Sequence, residues 1–228
     1  MLSVRRLAAA TLAATLFIAG TANAGDYSRY YGHRTYEVTI TNITKAQVFS
    51  PPVLVTHNRR VALFEVGAPA LDELALVAED GNGGPLADLA STLPDVFEAQ
   101  STSAPLPPGA SAVYEISGNA RSVLSSVSML VNTNDAFFGL NSRALPKRRG
   151  GTRSYTVPAY DAGSEGNNEN CAFIPGPACP AGSGNARSVD DAEGFVYISN
   201  GIHGIGDLGP AAYDWRNPVA RITIKRVR

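Results

Sequence analysis

The sequence predicts an all-β protein: an antiparallel β-sandwich with one or two short helices and a long loop rich in Gly, Asn and Pro. Three observations predict it. Apolar and polar residues alternate with a period of two in several short runs, the spacing that sends successive side chains to opposite faces of a strand. The 22 Gly and 15 Pro are spread along the chain, as turns between many short strands require. Only one stretch has a clear helical period.

The elements follow in order. Tyr36, Val38 and Ile40 alternate with Glu37, Thr39 and Thr41, a half-buried strand. Residues 53–56 and 61–66 read as further strands. Ser50-Pro51-Pro52 precedes the first of them, and paired prolines, which donate nothing to a ladder, favour an extended or edge segment. Leu71, Leu74, Ala75 and Ala78 fall at i, i+3, i+4 and i+7, with Gly81 as the stop, so a helix is predicted there. Residues 85–90 read as a second short helical turn. Ala112, Tyr114 and Ile116 then alternate with Val113 and Glu115. Residues 122–131 form a long strand with Val123, Val127, Met129 and Val131 on one side, and Leu124, Ser126, Ser128 and Leu130 on the other. Residues 195–198 and 220–227 are late strands, the last with Ile222 and Ile224 inward. Residues 161–191 read as a long surface excursion of the kind that is functional or disordered. The heptapeptide Ser-Gly-Asn-Ala-Arg-Ser-Val occurs at 117–123 and again at 183–189. It reads as two similar turns leading into strands.

The start of the chain has the layout of a secretory signal. Arg5 and Arg6 precede an apolar run, residues 7–19, and Ala22-Asn23-Ala24 has the small-x-small form of a cleavage site. The run is shorter than the roughly 20 residues of a membrane-spanning helix. Residues 1–24 are therefore expected to be a signal peptide, with one domain over 25–228. No later stretch is apolar enough to span a bilayer. The net charge of −1 offers no basic surplus for nucleic acid or a membrane surface. Lys147-Arg148-Arg149 reads as a solvated loop. In an exported chain, Cys171 and Cys179 point to a disulfide, whose short loop contributes about 2.5 kcal/mol on the chain-entropy argument. His33, His57 and His203 have no zinc spacing.

Two turns carry oxygen donors. Asp135 follows Asn132-Thr133-Asn134 at the end of the long strand, and Asp161 opens Asp161-Ala162-Gly163-Ser164-Glu165. Calcium takes about six to eight oxygens from carboxylates, amides and carbonyls, and both segments offer that mixture. The second is not an EF-hand loop, since Gly163 and Ala172 stand at its third and twelfth positions. From the residues alone the metal signal is weak, and Asx turns in which each Asp caps its own backbone are the more ordinary account of the pattern.

The ordered set Tyr36-Glu37-Val38-Thr39-Ile40-Thr41, Phe49-Ser50-Pro51-Pro52, Ser103-Ala104-Pro105-Leu106-Pro107, Asn134-Asp135-Ala136-Phe137-Phe138-Gly139-Leu140, Tyr160-Asp161-Ala162-Gly163-Ser164-Glu165 and Pro218-Val219-Ala220-Arg221-Ile222-Thr223-Ile224 resembles the spondin domain family, in that family's order. The resemblance implies a sandwich similar to a C2 domain with one calcium ion at one end. Its ligands map onto Asp135 and Asp161, with a third acidic ligand on Glu115; Glu165 matches a further acidic position. Asn134 and Ala136 stand where animal members have Pro and Trp. The function implied is a secreted calcium-binding module whose partner is an extracellular protein or glycan.

Two other classes compete. A hydrolase would need a base such as His203, near Asp207 and Asp214, or a carboxylate pair such as Asp190 and Glu193; no Gly-x-Ser-x-Gly elbow occurs. A self-associating matrix protein would need an exposed aromatic patch, for which Phe137-Phe138 and Tyr213-Asp214-Trp215 are the candidates.

Overall fold

The computed structural model describes residues 32–228. The expected signal segment, residues 1–24, and the expected mature start at Gly25 lie outside them. Ten strands and three short helices follow in the order β1 (Arg34–Asn42), β2 (Val53–His57), α1 (Asp72–Asp80), α2 (Gly84–Ser91), β3 (Val96–Ser101), β4 (Ser111–Gly118), β5 (Val123–Met129), β6 (Ala136–Ala144), β7 (Thr152–Val157), β8 (Ala159–Asp161), β9 (Tyr197–Ile198), α3 (Pro210–Tyr213) and β10 (Ala220–Arg226). They build a four-stranded sheet, β4-β1-β10-β7, and a six-stranded sheet, β3-β2-β5-β6-β8-β9. Every pairing is antiparallel. The predicted all-β sandwich is the observed fold.

The alternation in β1 does what its period requires. Tyr36, Val38 and Ile40 are fully buried, and Val38 and Ile40 lie opposite Ile224 and Ile222 of β10. These side chains meet Leu54, Leu124, Phe138 and Leu140 of the other sheet in the main core. Phe49 and Phe138 close one part of it edge to face, with ring centroids 4.9 Å apart, a geometry favoured by the ring quadrupoles. A second core lies on the outer face of the six-stranded sheet, where Leu74, Val77 and Leu86 of the helices cover Val53, Val55, Val127 and Phe137. Both faces of β2 and β5 are thereby covered, so every residue of each is buried. The serines predicted to share a face with Leu124 do so: Ser126 and Ser128 oppose Leu140 and Phe138, and Ser128 Oγ donates to the Ser50 carbonyl at 2.7 Å.

Helix α1 starts one residue after Leu71 and ends where predicted. Gly81 takes φ +66° and donates its N–H back to the last turn, the left-handed stop that Gly adopts at least cost.

Several expectations are corrected. Residues 61–66 are a loop, not a strand. Leu63 and Phe64 bury against the helix-side core, and the Phe64 carbonyl is taken by Asn141 Nδ2 at 2.7 Å, not by a ladder. The long strand ends at Met129, and the late strand near 195 is reduced to Tyr197–Ile198. The long loop is only partly a surface excursion. No helix or strand lies between Asp161 and Tyr197, yet Ile174 is fully buried in the main core, and Glu165 and Glu169 are buried as well. The Cys171–Cys179 disulfide is formed. The heptapeptide copies differ. The first makes the β4–β5 turn, with Asn119 Oδ1 accepting from the Arg121 N–H at 2.8 Å. The second leads into no strand; its Arg187 reaches Glu79 Oε2 at 2.7 Å and also pairs with Asp80. No helix among the described residues is long and apolar enough to cross a membrane.

Candidate metal centre

The turn between β5 and β6 is built around Thr133. Its hydroxyl donates to the Leu130 carbonyl at 2.6 Å and accepts the Ala136 N–H at 3.0 Å. That turn delivers Asp135 to the first position before β6. β8 runs beside β6 with Ala136 opposite Asp161, and the Ala162 N–H donates to the Asp135 carbonyl at 3.2 Å. Strand register alone therefore puts two aspartates from distant segments side by side.

Both are inside the protein, 0% and 1% exposed. Asp135 Oδ2 accepts from the Ser164 N–H at 2.8 Å, the Ser164 hydroxyl at 3.1 Å and the Glu165 N–H at 3.0 Å. Asp135 Oδ1 is buried and has no hydrogen-bond partner among the described residues. Asp161 Oδ1 accepts the Gly163 N–H at 2.9 Å, and Oδ2 faces Asn167 Nδ2 at 2.9 Å. At the rim, Asn167 Nδ2 also lies 3.1 Å from Glu193 Oε1 and 2.9 Å from the Tyr197 hydroxyl, which donates to Glu193 Oε1 at 2.9 Å. Gly163 holds the bend. It has φ +66°, and a Cβ there would run into the Phe195 backbone, while its carbonyl accepts the Gly194 N–H at 2.8 Å.

Electrostatics follow from this packing. Burial, and then the Asp161 charge, hold the Asp135 carboxyl well above the usual carboxylate range. Burial also raises Asp161, with the Glu193 charge adding to it. The Tyr197 hydroxyl is raised by burial and by the Asp161 charge. Two charges about 4 Å apart repel by roughly 4 kcal/mol at an effective dielectric of 20. The pair therefore takes either a proton or a cation.

The expected ligands divide. Asp135 and Asp161 come together. Glu165 is next to them in the chain, and its N–H reaches Asp135, but its carboxylate faces elsewhere: Oε1 accepts the Ser188 N–H at 3.2 Å and lies 3.9 Å from Arg187 Nε. Burial pushes it up to about 7, and the Glu79 charge contributes. Glu115 is not brought to the pair. It is exposed on β4 of the other sheet, opposite Glu37, because the period that buries Ile116 turns Glu115 to solvent. Asn167 and Tyr197 are site residues that sequence reasoning missed, and it names Glu193 only as half of a hydrolytic pair with Asp190. Asn167, an oxygen donor six residues after Asp161, offers a faint signal; Glu193 and Tyr197 arrive only through tertiary folding of the loop. Among the described residues no three His, Cys, Asp or Glu side chains converge as a metal-holding group. The site thus offers two buried carboxylates, with the Glu193 carboxylate and the Tyr197 hydroxyl at the rim and the Asn167 amide presenting its nitrogen to Asp161; carboxylate oxygens suit a hard cation such as calcium.

No family model matches the chain, and no curated protein matches it. The site's geometry must carry the reading.

The competing readings fare as follows. His203 is half exposed, its Nδ1 3.6 Å from Glu169 Oε1, and no hydroxyl hydrogen-bonds to its ring among the described residues. Asp207 is engaged with the Cys171 N–H at 2.8 Å and Asp214 with the Ile202 N–H at 3.1 Å, so both brace loops. Glu169 is a buried carboxylate that caps the N–H groups of His203, Gly204 and Ile205. The aromatic patch is not on the surface: Phe137 and Phe138 are fully buried and Trp215 is 8% exposed.

Proposed function

We propose that this protein is a secreted, spondin-type β-sandwich that binds calcium at the β6–β8 end and works as an extracellular binding and adhesion module, with a protein or glycan partner. The observation that carries the reading is Asp135 Oδ1: a carboxylate oxygen buried without a partner, beside the equally buried Asp161. An orphaned buried acceptor costs about 1–3 kcal/mol, more when charged, and a bound cation removes that cost. Asp135 and Asp161 supply the charge, and Asn167 and Glu193 stand at the rim. When bound, the ion supplies positive charge that ties the 161–167 bend to the β5–β6 turn. No substrate chemistry is required of it.

Thermal melting of the metal-loaded protein, with and without a calcium chelator, tests the reading. A melting temperature several degrees lower in chelator supports it. Superimposed melts from a sample shown by elemental analysis to be calcium-loaded would count against it.

A further inference from the structure

The opposite end of the sandwich has the opposite charge. There the start of β1, the β4–β5 turn and the end of β6 frame a pocket of about 220 Å³. Arg34, Arg59, Arg121 and Lys147 line it together with Tyr36 and Ser122, and no acidic side chain among the described residues does. Tyr36 is 0% exposed, and its hydroxyl is buried with no hydrogen-bond partner among the described residues. A phenol can donate and accept, so a buried phenol left unpaired beside Arg34, Arg59 and Lys147 marks a place shaped for a further acceptor. A second hollow shares Lys147 and adds Arg148 and Arg153, extending the positive surface along the chain that sequence alone reads as a solvated basic loop. Val123 and Ala144 give the pocket an apolar side.

We infer that this pocket binds a tetrahedral oxyanion, a sulfate or phosphate group, with the guanidinium and ammonium groups neutralising its charge and the Tyr36 hydroxyl donating to one of its oxygens. Guanidinium forks match the oxygens of such groups in pairs. The inference is independent of the calcium site, which lies at the far ends of β5 and β6.

Isothermal titration calorimetry of the purified protein with sodium phosphate, sodium sulfate and N-acetylglucosamine 6-sulfate tests it. One equivalent is expected to bind and to weaken as NaCl is raised, since charge drives it. Arg59→Gln is expected to weaken binding about tenfold, the worth of one charged hydrogen bond. Tyr36→Phe, which keeps the ring packing, is expected to weaken it several-fold. Arg216→Gln, which removes an exposed guanidinium outside the pocket, is expected to leave it unchanged. Tighter binding of the sugar sulfate than of inorganic sulfate would identify the source as an acidic saccharide; equal binding would identify the free anion. No heat with any of the three, or an affinity unchanged in Arg59→Gln or in Tyr36→Phe, would overturn the assignment.

Discussion

Asp135→Asn should change stability in opposite directions depending on calcium. The asparagine keeps an oxygen for the three donors from Ser164 and Glu165. It replaces the unpartnered Oδ1 with an amide N–H group beside the Asp161 charge. Without metal, the wild-type pair relieves its repulsion only by holding a proton, which the amide makes unnecessary, so above the pH at which that proton is lost the variant gains roughly 1–3 kcal/mol. With calcium at one thousand times its Kd, the wild-type protein gains about 4.1 kcal/mol that the variant forgoes. For a domain of this size, 1 kcal/mol moves Tm by about 2–4 °C. The variant should therefore melt a few degrees above wild type in chelator, and a few degrees or more below it in saturating calcium. Differential scanning calorimetry of both proteins in both buffers reads the crossing. A variant that is less stable by the same amount in both buffers would refute the reasoning, because it would reduce Asp135 to a hydrogen-bonding residue.

Further outcomes follow from other parts of the fold. Glu165 titrates at about 7 in the folded protein against an ordinary 4.5, so the folded state holds the extra proton between those values. Its contribution is fully present below about 4.5 and is lost as pH rises through about 7. Urea titrations in chelator between pH 5 and pH 8 should show a shallower loss of stability with rising pH in Glu165→Gln than in wild type; equal slopes would contradict this. Gly163→Ala should destabilise by more than the roughly 1–2 kcal/mol of a left-handed alanine, because its Cβ meets the Phe195 backbone, and a change in urea midpoint within error would refute the packing described. Replacing Cys171 and Cys179 together by Ser should cost about 2.5 kcal/mol for a bridge eight residues apart in sequence, read from the same titrations; no loss would mean that the loop is held by Ile174 and Glu169 alone.

How much of this was legible in the sequence depends on whether the signal was local. The strands β1 and β10 and helix α1 each bury one face against a core and leave the other to solvent, so their periods are visible. β6 carries Ala136-Phe137-Phe138-Gly139-Leu140 with both faces covered, and a strand covered on both sides shows no alternation. β3 and β7 are edge strands of mostly half-exposed or exposed residues, and their polar sequences do not stand out from loops. The loop at 61–66 misleads in the other direction. Its apolar residues pack on the sheet, while its backbone is served by side chains such as Asn141. Within the site, Asp135 and Asp161 meet because Ala136 pairs with Asp161, a register that no local pattern encodes; their pairing was expected only through the resemblance. Glu115 shows the converse. The chain's own alternation already turned it outward, and that local signal was the better guide. Tyr197 and Glu193 reach the site from the far arm of a loop with no regular structure, and their spacing from Asp161 carries no period to read.

The most direct test of the account is equilibrium dialysis of the purified protein against calcium, with bound metal counted by elemental analysis, alongside Asp135→Asn and Asp161→Asn. The account predicts one calcium per wild-type chain and none on either variant. Wild-type protein that retains no calcium at millimolar free ion, or variants that bind as much as wild type, would contradict it.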